Sequence, residues 1–202
     1  WSTERVEAPA YSPSLAIDSS GVVHLAYRAG SDPVHAVRQS GGWNSETVPA
    51  TAFPTRVSLA VDSSDIPHVG YVTSNHDVKH ATAPAAGWRI EDVETNAEIN
   101  TATAPAIAIG PGDVVHMSYA EDPGDALRGN LRYATNAGGT WSTSEIGSDD
   151  RWDHGPSIAV DARGRVHLSY TSYKSGILLV KYAPRAAGWA TAIVDYGLRS
   201  EI

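Results

Sequence analysis

The sequence contains no cysteine, and its 202 residues include only one methionine and one phenylalanine. Without cysteine the chain can form neither a disulfide framework nor a thiolate metal site. The remaining apolar residues are mainly alanine, valine, isoleucine and tyrosine, a set that suits narrow β-strands better than helical cores. Hydrophobic residues make up 42% and charged residues 19% of the chain, which indicates a packed protein. We therefore expect an all-β fold.

Basic residues are also scarce. Lysine and arginine number 15 against 23 aspartates and glutamates, which leaves a formal net charge of −8. Because nucleic-acid binding needs a concentrated basic face, we expect no nucleic-acid partner. The sequence shows no apolar run of membrane-span length and no recognisable leader, so we expect no membrane association. A start at Trp1 fits a processed chain, and we expect a secreted or extracytoplasmic protein.

One sequence pattern occurs four times. In the first copy, an apolar segment at 14–18 is followed by a turn and by a second segment at 23–27 with histidine at its second position. The corresponding histidines are His24, His68, His116 and His167. Their spacings of 44, 48 and 51 residues are typical of β-propeller blades. Each copy continues with two further short segments, so we predict four complete four-stranded blades around a channel.

A tryptophan-led polar segment closes each copy and is predicted to be the solvated outer strand of its blade. A fifth such segment at 1–6 has no inner strands of its own, so we predict one extra N-terminal outer strand. Residues 195–202 would start a further repeat or form a tail. The predicted blade units are approximately 13–48, 57–93, 105–146 and 156–194. The chain is then part of a larger ring, half of a ring completed by self-association, or a four-bladed ring with a spare strand.

Residues that recur in register indicate architecture. We interpret the four repeated histidines as structural, each bonding within its own blade to the aspartate that ends the preceding strand, and not as a metal-binding ring. The repeated tryptophans are predicted to fill the gaps between blades. They are Trp43, Trp88, Trp141 and Trp189.

The unit Ala-Val-Asp-x-x-Gly-x-Val-His-Leu-x-Tyr, followed by Leu-x-Tyr-Ala and Gly-x-Trp, resembles the BNR-type repeats of sialidase-like propellers. The strict Asp-box Ser-x-Asp-x-Gly-x-x-Trp is absent, because histidine replaces the aromatic residue after glycine. The resemblance implies a propeller fold in a class that includes glycosidases, polysaccharide lyases and lectins, and it carries over no sialidase catalytic residue. Some polysaccharide lyases of this kind use a histidine after the second strand, and His76 is similar in placement, which makes it a candidate catalytic residue.

The longest departures from the repeat lie at 120–130 and 147–155. We predict both on the top face, where second strands lead to third strands and one blade leads to the next. Trp152 could stack on a sugar ring while charged groups bind its hydroxyls. The candidate ligand-binding residues are Asp122, Asp125, Arg128, Asp150, Arg151, Trp152, Asp153 and His154.

The same acidic residues allow other interpretations. Asp150 and Asp153 could act as acid and base in hydrolysis, Asp149 could join them as calcium ligands, or the segment could be a solvated acidic loop. Otherwise we expect no cofactor. Arginines predicted on the top face would suit the carboxylate of an acidic sugar or would form salt bridges with the acidic loops. They are Arg28, Arg56, Arg128 and Arg151.

These patterns leave three functions open. The first, which we favour, is a glycan-binding, lectin-like module without enzymatic activity. The second is a protein-interaction or structural propeller segment that forms a homo-oligomer through its incomplete ends. The third is a polysaccharide lyase or glycoside hydrolase with its site on the top face. The expected partner is accordingly a carbohydrate or a protein.

Overall fold

The structure is a computed structural model that describes residues 4–6, 9–50, 52–95, 103–121, 129–146, 152–185 and 188–196, with the backbone alone for Trp152. Its strands form four separate four-stranded antiparallel sheets. In each sheet the strands neighbour one another in chain order, from the inner strand to the outer strand. The predicted all-β architecture of four propeller blades is confirmed. In the described ranges, no helix has the length and hydropathy needed to span a membrane.

The four sheets are called blades 1 to 4 in chain order. Blade 1 contains β1 (Ala10–Ile17), β2 (Val23–Ala29), β3 (Asp32–Gln39) and β4 (Gly42–Thr47). Blade 2 contains β5 (Pro54–Val61), β6 (Pro67–Thr73), β7 (Val78–Thr82) and β8 (Arg89–Glu94). Blade 3 contains β9 (Ala106–Ile109), β10 (Val115–Ala120), β11 (Leu131–Thr135) and β12 (Ser142–Ile146). Blade 4 contains β13 (Trp152–Val160), β14 (Val166–Lys174), β15 (Ile177–Pro184) and β16 (Ala192–Tyr196).

Position in the array explains which strands are buried. Every residue of β6 and of β10 is buried, because the second strands of blades 2 and 3 have a neighbouring blade on both sides. The outer strand β16 is exposed along its whole length. The core therefore consists of apolar layers between blades, such as the layer that joins Ala26 and Val48 of blade 1 to Leu59 and Tyr71 of blade 2.

The turns between first and second strands follow the aspartate pattern of the sequence. The Asp18 carboxylate accepts hydrogen bonds from the backbone N–H groups of Ser20 and Val22, at 2.9 and 2.8 Å, and Gly21 takes a φ of 80°. These bonds make a tight hairpin turn that glycine permits. Asp62 and Asp161 form the same bonds in blades 2 and 4.

Three inner strands begin three or four residues before the predicted blade starts, at Ala10, Pro54 and Trp152. In each, an irregularity in the register lies close to the start, as between Tyr11 and Ser14. A bulge of this kind lets pairing continue while it re-aims the side chains beyond it. The extra residues reach the top face.

The predicted extra outer strand at 1–6 is described only for residues 4–6, which lie outside the strands. Val6 packs against the apolar side of blade 1 that faces away from blade 2, next to Leu25 and Tyr27. Glu4 forms an ion pair of 3.2 Å with Arg38 of β3. Of the predicted tail, 197–202 lies outside the described residues.

In blades 1 and 2 a chain of polar side chains crosses the blade from the inner turn to the outer strand. In blade 2, Asp62 Oδ2 lies 3.2 Å from His68 Nε2, His68 Nδ1 lies 2.9 Å from His80 Nε2, and His80 Nδ1 lies 3.3 Å from a carboxylate oxygen of Glu91. Blade 1 repeats the chain with Asp18, His24, His35 and Glu46. The predicted bond between each repeated histidine and its own blade's aspartate is therefore present in these blades.

Blades 3 and 4 use tyrosine where blades 1 and 2 use the second histidine. His116 Nδ1 lies 2.6 Å from the Tyr133 hydroxyl, and His167 Nδ1 lies 2.6 Å from the Tyr182 hydroxyl. In blade 3 the aspartate position is Gly110, and a Cβ there would lie 2.8 Å from His116 Nε2. The imidazole therefore occupies space that the aspartate side chain takes in the other blades.

Three of the four repeated tryptophans lie between blades, as predicted, and each packs against the third-strand ring of the preceding blade. Trp43 instead lies on the side of blade 1 that faces away from blade 2. The ring centres are separated by 5.6 Å for Trp88 and His35, 5.3 Å for Trp141 and His80, and 5.2 Å for Trp189 and Tyr133. The polar chain inside one blade therefore positions the ring against which the next blade packs.

The stability of the fold should fall in mild acid because of the paired histidines. Burial, and then the neighbouring His68, lowers the pKa of His80 from 6.5 to about 4. Between these pH values the unfolded chain binds a proton at His80 that the folded chain does not bind. The contribution of His80 to the free energy of unfolding is therefore fully present above pH 6.5 and is lost as the pH falls towards 4. The loss from His80 amounts to about 3 kcal/mol.

Urea unfolding at a series of pH values measures this loss. The variant His80→Tyr, which copies the arrangement of Tyr133 in blade 3, should fold and show a flatter profile between pH 6.5 and 4. An equally steep profile in the variant would show that the paired imidazoles are not the cause.

Candidate functional site

The top ends of the inner strands carry residues that depart from the repeat. Tyr11, Arg56 and His154 each lie just before or at a register irregularity and pair with corresponding residues of the second strands. Because repeated residues build the blade junctions, the varied residues at this end are the candidates for binding.

Arg28 lies against two aromatic rings at the top of blade 1. Its guanidinium carbon lies 4.8 Å from the ring centre of Tyr11 and 5.1 Å from that of Phe53. Both rings are partly open to solvent, with Tyr11 52% and Phe53 42% exposed. Arg28 Nε is buried and has no hydrogen-bond partner in the described part of the chain, nor does any described carboxylate form an ion pair with Arg28. We call Tyr11, Arg28 and Phe53 the arginine cage.

His76 lies on a turn that contacts the cage. The turn joins β6 to β7, and the N–H of Ser74 within it donates a 2.8 Å hydrogen bond to the carbonyl of Phe53. His76 is exposed and has a φ of 62°, a left-handed conformation that costs a residue with a Cβ about 1 kcal/mol or more. Glycine takes left-handed positions in the corresponding turns of blades 1 and 4, at Gly30 and Gly176. The imidazole is thus presented at a strained position where glycine would fit better.

The cage was only partly predictable from the sequence. Arg28 was predicted on the top face and His76 was a candidate, and the structure brings them to one region through Phe53. Tyr11 and Phe53 were missed because neither belongs to a repeated motif. The signal that could have found Phe53 is that it is the single phenylalanine of the chain and lies in a connection between blades.

An ionic cluster lies between blades 2 and 3 near the top face. Arg132 forms ion pairs of 2.7 Å with Glu94 and 3.1 Å with Glu121, and the Tyr119 hydroxyl donates a hydrogen bond to Glu94. Burial raises the pKa of the Glu121 carboxyl, and burial with the bond to Glu94 raises that of Tyr119. Because Arg132 engages both carboxylates, the cluster fastens one blade to the next.

The predicted ligand-binding segments are described only in part. The main-chain N–H of Asp153 donates a 2.8 Å hydrogen bond to the carbonyl of Gly129, so the ends of the two segments lie side by side on the top face. Asp153 is fully buried, and His154 is half-buried. Trp152 is described by its backbone alone. The remaining candidates lie outside the described residues: Asp122, Asp125, Arg128, Asp149, Asp150 and Arg151.

A calcium site at Asp149, Asp150 and Asp153 stays a prediction. Two of the three residues lie outside the described ranges. Within those ranges, no group of three or more histidine, aspartate or glutamate side chains is placed to hold a metal ion.

No protein-family model matches the sequence, and no curated protein is similar to it in sequence. Solved structures are similar in fold. A polysaccharide lyase described as an ulvan lyase aligns with a TM-score of 0.63 and 13% identity, over 89% of this chain and 56% of its own. The α-L-arabinanase of Penicillium chrysogenum, bound to arabinobiose, aligns with a TM-score of 0.61 and 12% identity, over 93% of this chain and 67% of its own.

A third structure is the α-L-arabinofuranosidase of Fusarium graminearum with arabinobiose, with a TM-score of 0.60 and 12% identity over 92% of this chain and 66% of its own. The chain therefore spans 56 to 67% of the length of these three proteins. At these identities the similarity shows the β-propeller fold and no more.

The ionic cluster should contribute to stability through its arginine. Replacing Arg132 by methionine leaves Glu94 and Glu121 partly buried without their shared cation, and we expect a loss of about 2 kcal/mol in the free energy of unfolding. The matched control is Arg89→Met, because Arg89 pairs with Glu91 at an exposed site and such pairs contribute about 0.5 kcal/mol or less. Urea unfolding of both variants makes the comparison, and equal losses would contradict the role of the cluster.

Proposed function

We propose that this propeller binds glycans on its top face, with the arginine cage as the contact surface. The observation that carries the proposal is the pair of half-exposed rings, Tyr11 and Phe53, beside a guanidinium that has no acidic partner among the described residues. Exposed apolar surface next to such a group marks a binding site.

The chemistry of the cage suits a sugar. The C–H face of a pyranose or furanose ring packs on an aromatic ring, and polar groups beside the ring fix its orientation. The Arg28 guanidinium presents a fork of N–H donors to sugar hydroxyls or to a carboxylate, and its charge strengthens these bonds. Tyr11 and Phe53 also hold the guanidinium in place, so little side-chain freedom is lost on binding.

The comparisons support a glycan rather than another ligand. The three structures described above are a polysaccharide lyase and two arabinose-active enzymes, two of them with arabinobiose bound. In this proposal the half-buried His154, with the neighbouring predicted ligand residues, forms a second contact of an extracytoplasmic, lectin-like protein. Asp153 is fully buried and is not part of this contact.

Binding should depend on both aromatic rings of the cage. We expect Tyr11→Ala and Phe53→Ala each to weaken binding to the best ligand of a panel of neutral and acidic polysaccharides roughly tenfold or more. Tyr11→Phe keeps the ring and should bind nearly as well. Thr140→Ala, at an exposed site of blade 3, is the control for a general loss of surface area.

Affinity electrophoresis with each polysaccharide in the gel gives the comparison directly. Retention that is unchanged in both alanine variants would place the glycan site elsewhere on the protein. An absence of retention on every glycan would remove the proposed function.

Cleavage of a polysaccharide is the second candidate function, and the position of His76 favours it. His76 is exposed on the turn whose Ser74 N–H bonds to the carbonyl of Phe53 in the cage. An imidazole there could remove or donate a proton during chain cleavage. The proposal of glycan binding does not depend on this activity.

The variant His76→Gly separates the role of the imidazole from that of the turn. Glycine relieves the left-handed strain, so the variant should be more stable than the parent by about 1 kcal/mol, while the formation of new polysaccharide chain ends should stop. His76→Ala keeps the strain and should also be inactive. Chain-end assays, including assays for unsaturated ends, measure the activity. Undiminished cleavage by His76→Gly would contradict a catalytic imidazole.

A further inference from the structure

Among the described residues, blades 1 and 4 each have an apolar side that no other blade covers, although Val6 packs on part of that of blade 1. On blade 1, Leu15 is 59% exposed, whereas Leu59 at the corresponding position of blade 2 is 6% exposed. On blade 4, Val180 is 44% exposed and Leu178 is 39% exposed, and both lie on the same side of β15 as Tyr182. Exposed apolar patches of this kind mark interaction surfaces. We call these two surfaces the blade 1 face and the blade 4 face.

The three junctions inside the chain are of two types. At the first two junctions, a third-strand histidine receives the tryptophan of the next blade. At the third junction the ring is Tyr133, and the following blade presents an arginine as well as a tryptophan. The Arg185 guanidinium carbon lies 4.5 Å from the centre of Tyr133 and 5.8 Å from that of Trp189. The blades that follow a histidine have Ala83 and Asn136 at the position of Arg185.

Charge explains why arginine occurs opposite tyrosine and not opposite histidine. A guanidinium is attracted to the face of a phenol ring. A neutral imidazole attracts it less. In the three junctions described, arginine accompanies the tyrosine ring and not the histidine rings.

The two uncovered faces carry the residues of a tyrosine junction: the blade 4 face has the tyrosine, and the blade 1 face has the arginine and the tryptophan. The blade 4 face has Tyr182, bound to His167 in the same way as Tyr133 is bound to His116, with both distances 2.6 Å. The blade 1 face has Arg38 at 5.9 Å from Trp43, which repeats the geometry of Arg185 and Trp189. A blade 4 face placed on a blade 1 face would thus reproduce the third junction.

The turns on the opposite side of the blades agree with this match. Ser19 bonds to Asp65 across the first junction, and Ser63 bonds to Asp113 across the second. At the third junction these positions are Pro111 and Gly164, without a hydrogen-bonding side chain. At the uncovered faces they are Ala162 and Gly21. The docked faces, like the third junction, have neither the serine nor the aspartate of the turn bonds, so docking leaves no such group without its partner.

We propose that the blade 4 face of one chain docks on the blade 1 face of a second copy, so that Tyr182 of one copy packs between Arg38 and Trp43 of the other. Within the described residues of one chain the two faces do not meet, because β1 and β13 do not pack together as β1 and β5 do. The contact is heterologous: two different surfaces join head to tail.

Residues 4–6 must leave the blade 1 face when the second copy docks. The sequence Trp-x-x-Glu-x-Val at 1–6 repeats that at 43–48, so Glu4 and Val6 occupy positions that an outer strand of a preceding blade would take. In the docked pair, β16 of the second copy takes those positions. The Glu4–Arg38 pair that is broken is partly exposed on both sides, and such pairs stabilise little.

Two blocking variants test the head-to-tail contact. Leu15→Lys places a charge on the blade 1 face, and Val180→Lys places one on the blade 4 face. Both positions are exposed in the single chain, so both variants should fold, which thermal melting checks. Thr140→Lys adds the same charge at an exposed site of blade 3 and serves as the matched control.

Sedimentation velocity over a range of concentrations gives the result. We expect the parent and Thr140→Lys to associate, and each blocked variant alone to remain a monomer, with association weakened roughly tenfold or more. An equimolar mixture of the two blocked variants should form a dimer and nothing larger, because each supplies the face that the other has lost. A monomeric parent, association by either blocked variant alone, or a mixture that stays monomeric would overturn the proposal.

Discussion

The packing of a tryptophan of one blade against a histidine or tyrosine ring of the preceding blade is the contact on which the fold depends. That ring lies on the third strand, where it is fixed by a hydrogen bond to the repeated histidine of the second strand, as in His80 and His68. In blade 2 the outer-strand Glu91 joins both sides, because it contacts His80 and accepts a 3.1 Å hydrogen bond from the indole N–H of Trp141. In blades 1 and 2 a polar chain thereby sets the geometry of an apolar layer between blades, and the buried imidazoles are tolerated because they bond to one another.

Because the repeated residues build the junctions between blades, the residues of the top face are free to vary. The hydrogen bonds shared by the blades are concentrated in the strands and in the turns of the opposite side, such as Ser19 with Asp65. Residues at the top ends of the inner strands are released from that pattern by register irregularities, and Tyr11 lies at one of them. A ligand site can therefore be built there without disturbing the junctions. The arginine cage and the turn of His76 are built in this way.

The repeat was predictable from the sequence because its signals are short and in register. An aspartate, a glycine and a histidine within a few residues were sufficient to predict the hairpins, the in-blade bond and the blade count. The third-strand rings were not predicted, because the separation between the bonded rings varies from 11 residues in blade 1 to 17 in blade 3. The cage was missed for a related reason: Phe53 reaches Arg28 from a connection outside the repeat, and Tyr11 depends on a bulge that the sequence does not mark.

The most direct test of a glycan site at the cage is fluorine NMR of the phenylalanine in the cage. Because Phe53 is the single phenylalanine, labelling with fluorophenylalanine gives one fluorine NMR signal that reports on the cage alone. The account predicts that a retained glycan shifts this signal progressively and to saturation, at the concentrations at which retention occurs. A signal that stays in place while the glycan is demonstrably bound would contradict the account.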